Sequence, residues 1–88
     1  MFYNDNGIIL DIERNSFGTI QMDFQPYEKI LQYEDEIEIE ITNRMFCDKN
    51  EAISEEVYIE VNNNLYRIMK IKIWSDYLEC WLYPCEDE

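Results

Sequence analysis

Asp35-Glu36-Ile37-Glu38-Ile39-Glu40-Ile41-Thr42 decides the fold class of this 88-residue chain. Acidic and apolar residues alternate with the period of two that sends successive side chains to opposite faces of a strand. On a helix the three isoleucines would be scattered around the circumference, whereas β-branched side chains fit a half-buried pleated surface. Ile37, Ile39 and Ile41 are expected to face a core, with Glu36, Glu38 and Glu40 turned away from it.

C-terminal to this strand the sequence reads as a three-stranded meander. Residues 57–61 alternate, Asn62-Asn63-Asn64 turns, residues 65–74 run long, Ser75-Asp76 turns, and residues 77–83 close it. A two-residue loop at Ser75-Asp76 pairs Ile73 with Leu78, Lys72 with Glu79 and Lys70 with Trp81. That register collects Ile71, Ile73, Leu78, Cys80 and Leu82 on one side and sets Lys72 across from Glu79 as a charge pair. Asparagine tolerates positive φ at the other turn. A three-residue loop there brings Val57, Ile59 and Val61 to the side of Leu65, Met69 and Ile71; a tighter loop sets Glu60 against Arg67. Pro84 is expected to end the last strand, leaving residues 84–88 as a solvated tail.

On the N-terminal side, residues 7–13 and 17–24 read as a hairpin turning at Arg14-Asn15-Ser16, with Leu10 opposite Ile20 and Ile8 opposite Met22. Residues 25–35 break the alternation. Pro26 suits a first helical turn, and Tyr27, Ile30 and Leu31 have i, i+3, i+4 spacing, which predicts a short helix over 26–32 or else a plain loop. Asp48-Lys49-Asn50-Glu51 has the form of a capping box and predicts a second short helix over 49–55. The expected fold is mainly β: a small antiparallel β-barrel or compact β-sandwich of about six strands with one or two short helices, forming a single domain over residues 1–88.

Composition narrows the chemistry. Twenty acidic residues against seven basic ones give a net charge of −13. Clustered cations are what nucleic acids and anionic membranes require, so direct binding to either is not expected. Without a single histidine, Cys47, Cys80, Cys85 and the serines lack an imidazole base, and no glycine-rich phosphate loop can be built from Gly7 and Gly18. No catalytic residues, cofactor or metal are expected. An odd number of cysteines argues against a disulfide framework, and Cys80 reads as a buried core thiol. No 18-residue apolar run or apolar leader is present, so the expected location is the cytoplasm of a bacterial host cell, whose coding bias the Ile, Asn and Tyr usage suggests.

Two features remain as candidate partner-binding surfaces. Glu34, Asp35, Glu36, Glu38 and Glu40 form an acidic row; carboxylates two residues apart on a strand lie about 6.8 Å from each other, roughly twice the phosphate rise along one DNA strand. The same row would serve an edge strand simply as protection against aggregation. Trp74, Tyr77 and Trp81, with Tyr66 and Tyr83, form an aromatic face interleaved with Lys70 and Lys72, to be either an exposed interface or the floor of a second core. Together they suggest a small acidic inhibitor or adaptor that blocks the basic surface of a nucleic-acid-binding protein. A phage-encoded nucleic-acid mimic acting on a host defence protein is one form of this. The alternative is a structural subunit of a phage particle or similar assembly, which would form homo-oligomers.

Overall fold

The structure is a computed structural model and describes residues 3–33, 37–55 and 57–85. Among these residues the chain forms β1 (Asp5–Leu10), β2 (Ser16–Tyr33), β3 (Ile37–Asp48), β4 (Tyr58–Val61), β5 (Asn64–Ile73) and β6 (Tyr77–Cys85). Every pairing is antiparallel, and β1 pairs with both β2 and β4. The sheet therefore closes on itself as a barrel in the order β1-β2-β3-β6-β5-β4. Its interior is filled by the inward residues of each strand, among them Ile9, Met22, Met45, Cys47, Ile59, Ile68, Cys80 and Leu82.

The mainly-β expectation holds; the two short helices do not, and no helix occurs among the described residues. Residues 26–32 belong to β2. The register against β3 slips between Pro26 and Lys29, so that Pro26 faces Asn43 while Lys29 faces Ile41. One extra residue on β2 at this bulge turns a period-two pattern into an apparent helical spacing, and a bulge tolerates the missing N–H of proline. Residues 49–55 form turns. Asp48 is the last residue of β3, opposite Tyr77, and the local acceptor is Asn50, whose side chain takes the Ala52 N–H (2.9 Å) and whose carbonyl takes the Ile53 N–H (3.0 Å).

The first hairpin turns earlier than its sequence suggests. Asp11 Oδ1 accepts the backbone N–H groups of Glu13 and Asn15, both at 2.9 Å, and Arg14 adopts φ 67°. This wider loop places Gly7 opposite Ile20 and Asp5 opposite Met22. The register differs from the expected one by three residues, and an odd shift exchanges the two faces of a strand, so Ile9 enters the core, Ile8 turns out and Ile12 is exposed. Gly7 leaves room here for the end of the Met22 side chain. A Cβ at this position would strike the terminal methyl of buried Met22 and lie 3.3 Å from Ile59.

At the opposite hairpin, Asn62 (φ 53°) and Asn63 (φ 66°) form a two-residue loop that pairs Val61 with Asn64. Both residues take the left-handed conformation that matches the twist of flanking strands. The three-residue loop is thereby corrected, and Glu60 lies opposite Leu65 rather than Arg67. Asn63→Gly is expected to stabilise the protein by a few tenths to about 1 kcal/mol and Asn63→Val to destabilise it by about 1–2 kcal/mol, because only the latter adds a branched side chain at positive φ. Urea unfolding of the two variants checks this, and equal effects would contradict it.

The β5–β6 pairing agrees with the expected register from Lys70 to Ile73, but a bulge between Ile68 and Lys70 resets the strand beyond it. Ile68 pairs with Leu82 in the core, Tyr66 turns inward to pack on Phe24 (5.2 Å between centroids), and Met69 leaves the barrel interior. Pro84 does not end β6: it pairs with Tyr66, and Cys85 pairs with Leu65. The extended ends of β2 and β3, residues 29–33 and 37–42, pair with each other beyond the last rung between β3 and β6. They form an arm whose Leu31, Ile39 and Ile41 join Tyr27, Met69 and Trp81 in a second apolar cluster.

Candidate binding surface

Along β6, Leu78, Cys80 and Leu82 fill the barrel, so alternation sends Glu79 and Trp81 to the outer face. Glu79 is nonetheless buried. Its Oε1 accepts the indole N–H of Trp74 at 3.2 Å; its Oε2 accepts the indole N–H of Trp81 at 3.2 Å and lies 3.4 Å from Nη1 of Arg44. A carboxylate withdrawn from water needs such donors, since an unpaired buried charge is costly. Lys72 lies across the strand from Glu79 as expected, but its ammonium sits over the Trp74 ring, 4.2 Å from the centroid. The charge pair that Glu79 makes is with Arg44.

Rings and cations continue on both sides of this centre. Trp74 stacks on Tyr77 (5.9 Å, 21°), and Tyr77 meets Phe46 edge-on at 5.9 Å. The Arg44 guanidinium lies over Phe46 at 5.1 Å and over Tyr27 at 4.5 Å, and its Nε donates to Oε1 of Gln25 at 3.0 Å. Tyr27 approaches Trp81 at 6.2 Å, and the ammoniums of Lys29 and Lys70 lie 3.9 and 5.2 Å from the Trp81 centroid. Contacts of this kind stabilise by about 0.5–1 kcal/mol each at exposed sites and more where water is excluded. The result is a belt of rings and cations across β3, β6 and β5, reaching Tyr27 and Lys29 of β2.

The acidic row comes out in part. Glu38 and Glu40 are exposed on the arm, opposite Gln32 and Ile30; Glu34, Asp35 and Glu36 lie outside the described residues. Ile30, beside Glu40, is 64% exposed, so the arm presents apolar as well as acidic groups. The aromatic face is divided. Trp74 is 39% exposed and Tyr77 half-buried, whereas Trp81 is only 9% exposed beneath the arm. Trp81 is thus the floor of the second cluster and not an open anchor.

Glu79, Arg44, Phe46, Tyr27 and Lys29 escaped the sequence pattern. Arg44 and Phe46 continue the alternation of β3 past Thr42, but the polar residues around them resemble a connection. Tyr27 and Lys29 sit at the bulge that imitates a helical turn. The remaining candidate chemistry is quiet. Cys47 and Cys80 are free and buried in the core, where a hydrogen bond with Cys47 and then burial push the Cys80 thiol up. Among the described residues no group of three or more Cys, Asp or Glu is placed to hold a metal ion, and no helix is long and apolar enough to cross a membrane.

No protein-family model matches this sequence, and no curated protein matches it.

Proposed function

We propose that the chain is a non-catalytic binding module, an inhibitor or adaptor whose carboxylates dock on the cationic surface of a nucleic-acid-binding protein. The observation that carries this reading is the gathering of basic side chains in one place. Lys29, Arg44, Lys70 and Lys72 gather on the aromatic belt, where Glu79 is the carboxylate they surround. Across the rest of the sequence, three cations remain against nineteen carboxylates. A field so one-sided accelerates encounter with a basic partner and rejects acidic ones.

On this reading Glu38 and Glu40 give the arm its register on the partner, in the manner of two phosphates, while exposed Ile30 and Trp74 provide apolar contact. A phage-encoded mimic directed at a host defence protein would use such a surface. Capture from a bacterial lysate tests it. The chain should retain a basic protein at low salt, and raised salt or the double change Glu38→Lys and Glu40→Lys should release it. Capture that withstands both changes would sink the proposal.

A second reading, a structural subunit of a phage particle or similar assembly, is favoured by the arm itself, which carries exposed Ile30 and Ile37. It requires rings or filaments in light scattering, where the inhibitor should be monomeric.

A further inference from the structure

We infer that the groove between the arm and β5 is a binding site for a compact oligophosphate, a ligand class opposite in charge to the partner proposed above. The groove is a cavity of about 510 Å³ lined by Tyr27, Lys29, Lys70, Lys72, Glu79 and Trp81. That volume falls within the range of small-molecule sites. Three of the four lysines of a chain with twenty carboxylates line this one groove.

Their partners are unusual for so acidic a protein. All three ammoniums are held over indole rings, Lys29 and Lys70 over Trp81 and Lys72 over Trp74. Among the described residues the ion pair in this region is between Arg44 and Glu79, and none of the three lysines takes part in it. Lys29 and Lys70 share one ring at 3.9 and 5.2 Å, so their ammoniums are no more than about 9 Å apart. An anion within reach of both would be attracted by the two charges together, and the one carboxylate lining the groove, Glu79, is already committed to Arg44 and two indole N–H groups.

The donors select the kind of anion. Planar carboxylates are best matched by the two-pronged guanidinium, whereas ammonium groups act as compact point charges suited to phosphate oxygens. Three of them match an anion of several charges. The field around the groove selects size. A nucleic-acid strand leaving the site would meet a chain whose carboxylates far outnumber its cations, whereas a short oligophosphate stays within reach of the lysines. The tryptophans are therefore ring supports for the lysines and not stacking platforms for bases.

Inorganic tripolyphosphate is the probe, and Trp81 the reporter. In a Trp74→Phe background Trp81 is the remaining tryptophan, and drawing Lys29 and Lys70 toward an anion should change its emission. The titration, at constant ionic strength set with sodium chloride, should saturate at one equivalent. Lys29→Gln and Lys70→Gln should each weaken binding about tenfold, the loss expected for one charge-assisted contact. Lys49→Gln, outside the groove, should not alter it, and circular dichroism should show all variants folded. A parallel titration reads the intrinsic emission of the unmodified chain, so a folding defect in the reporter background leaves the test intact. The inference fails if emission does not saturate, if sodium sulfate reproduces the change at equal concentration, or if the lysine variants bind unchanged. Tighter binding of a single-stranded oligonucleotide than of tripolyphosphate would overturn it in favour of a nucleic-acid groove. Lysate capture by the acidic surface is scored separately, since the groove variants leave Glu38 and Glu40 in place.

Discussion

Glu79→Ala is expected to lower the stability of the protein by about 3 kcal/mol. Removing the carboxylate leaves the indole N–H groups of Trp74 and Trp81 without their acceptor; the Trp81 donor is buried and stranding it costs about 1–3 kcal/mol, whereas Trp74 is 39% exposed and its N–H can turn to water at little cost. It also leaves Arg44 without its anion. Breaking a fully buried pair from one side costs about 3–5 kcal/mol, but the Arg44 side chain is 31% exposed and stays partly hydrated, which keeps the total toward the lower end. Glu79→Gln retains one acceptor oxygen and should lose less. Urea unfolding of both variants decides the matter, and a loss below about 1 kcal/mol for Glu79→Ala would show that water replaces the carboxylate. Total stability of a domain of this size is about 5–15 kcal/mol, so the expected loss is a large part of it.

Ile41→Ala and Ile37→Ala should differ sharply. Ile41, on the arm, is fully buried against Met69 and Trp81, whereas Ile37 is 52% exposed. Truncation of a buried isoleucine costs about 2–5 kcal/mol, because the lost transfer free energy is joined by the cavity left behind. Truncation of the exposed one should stay within about 0.5 kcal/mol. Parallel denaturant curves give both values. Similar losses at the two positions would mean that the arm does not fold onto β5 and β6 as described.

These isoleucines show how far periodicity carries. Alternation correctly makes β3 a strand with Ile37, Ile39 and Ile41 on one face, and it correctly pairs Lys70–Ile73 with Leu78–Trp81, because a two-residue loop leaves little freedom in register. It does not reveal that the shared face meets solvent at Ile37 and a second cluster at Ile41. Ile41 sits against Met69 and Trp81 while Ile37 lies further out along the arm, and the bulges at Pro26–Lys29 and Ile68–Lys70 that set the register here have no fixed mark in sequence. The same blindness produced the helix expected over 26–32 and placed Met69 with the barrel core. The candidate surface was legible where strand register was: Trp74, Tyr77, Lys70 and Lys72 lie together as expected. Arg44, Tyr27 and Lys29 arrive from strands distant in sequence, and the buried role of Glu79 exists only once they do.

The arm also bears on how the molecule meets other backbones. Around the barrel wall, closure supplies neighbours on both sides of a strand, but residues 29–33 and 37–42 pair only with each other among the strand pairings described. Their outward N–H and C=O groups form a template on which an extended peptide from another chain could be laid as an added strand. On the function proposed above, Glu38 and Glu40 would act as gatekeepers on that template, turning away the equally acidic hairpin of a sister molecule and admitting a peptide rich in lysine or arginine.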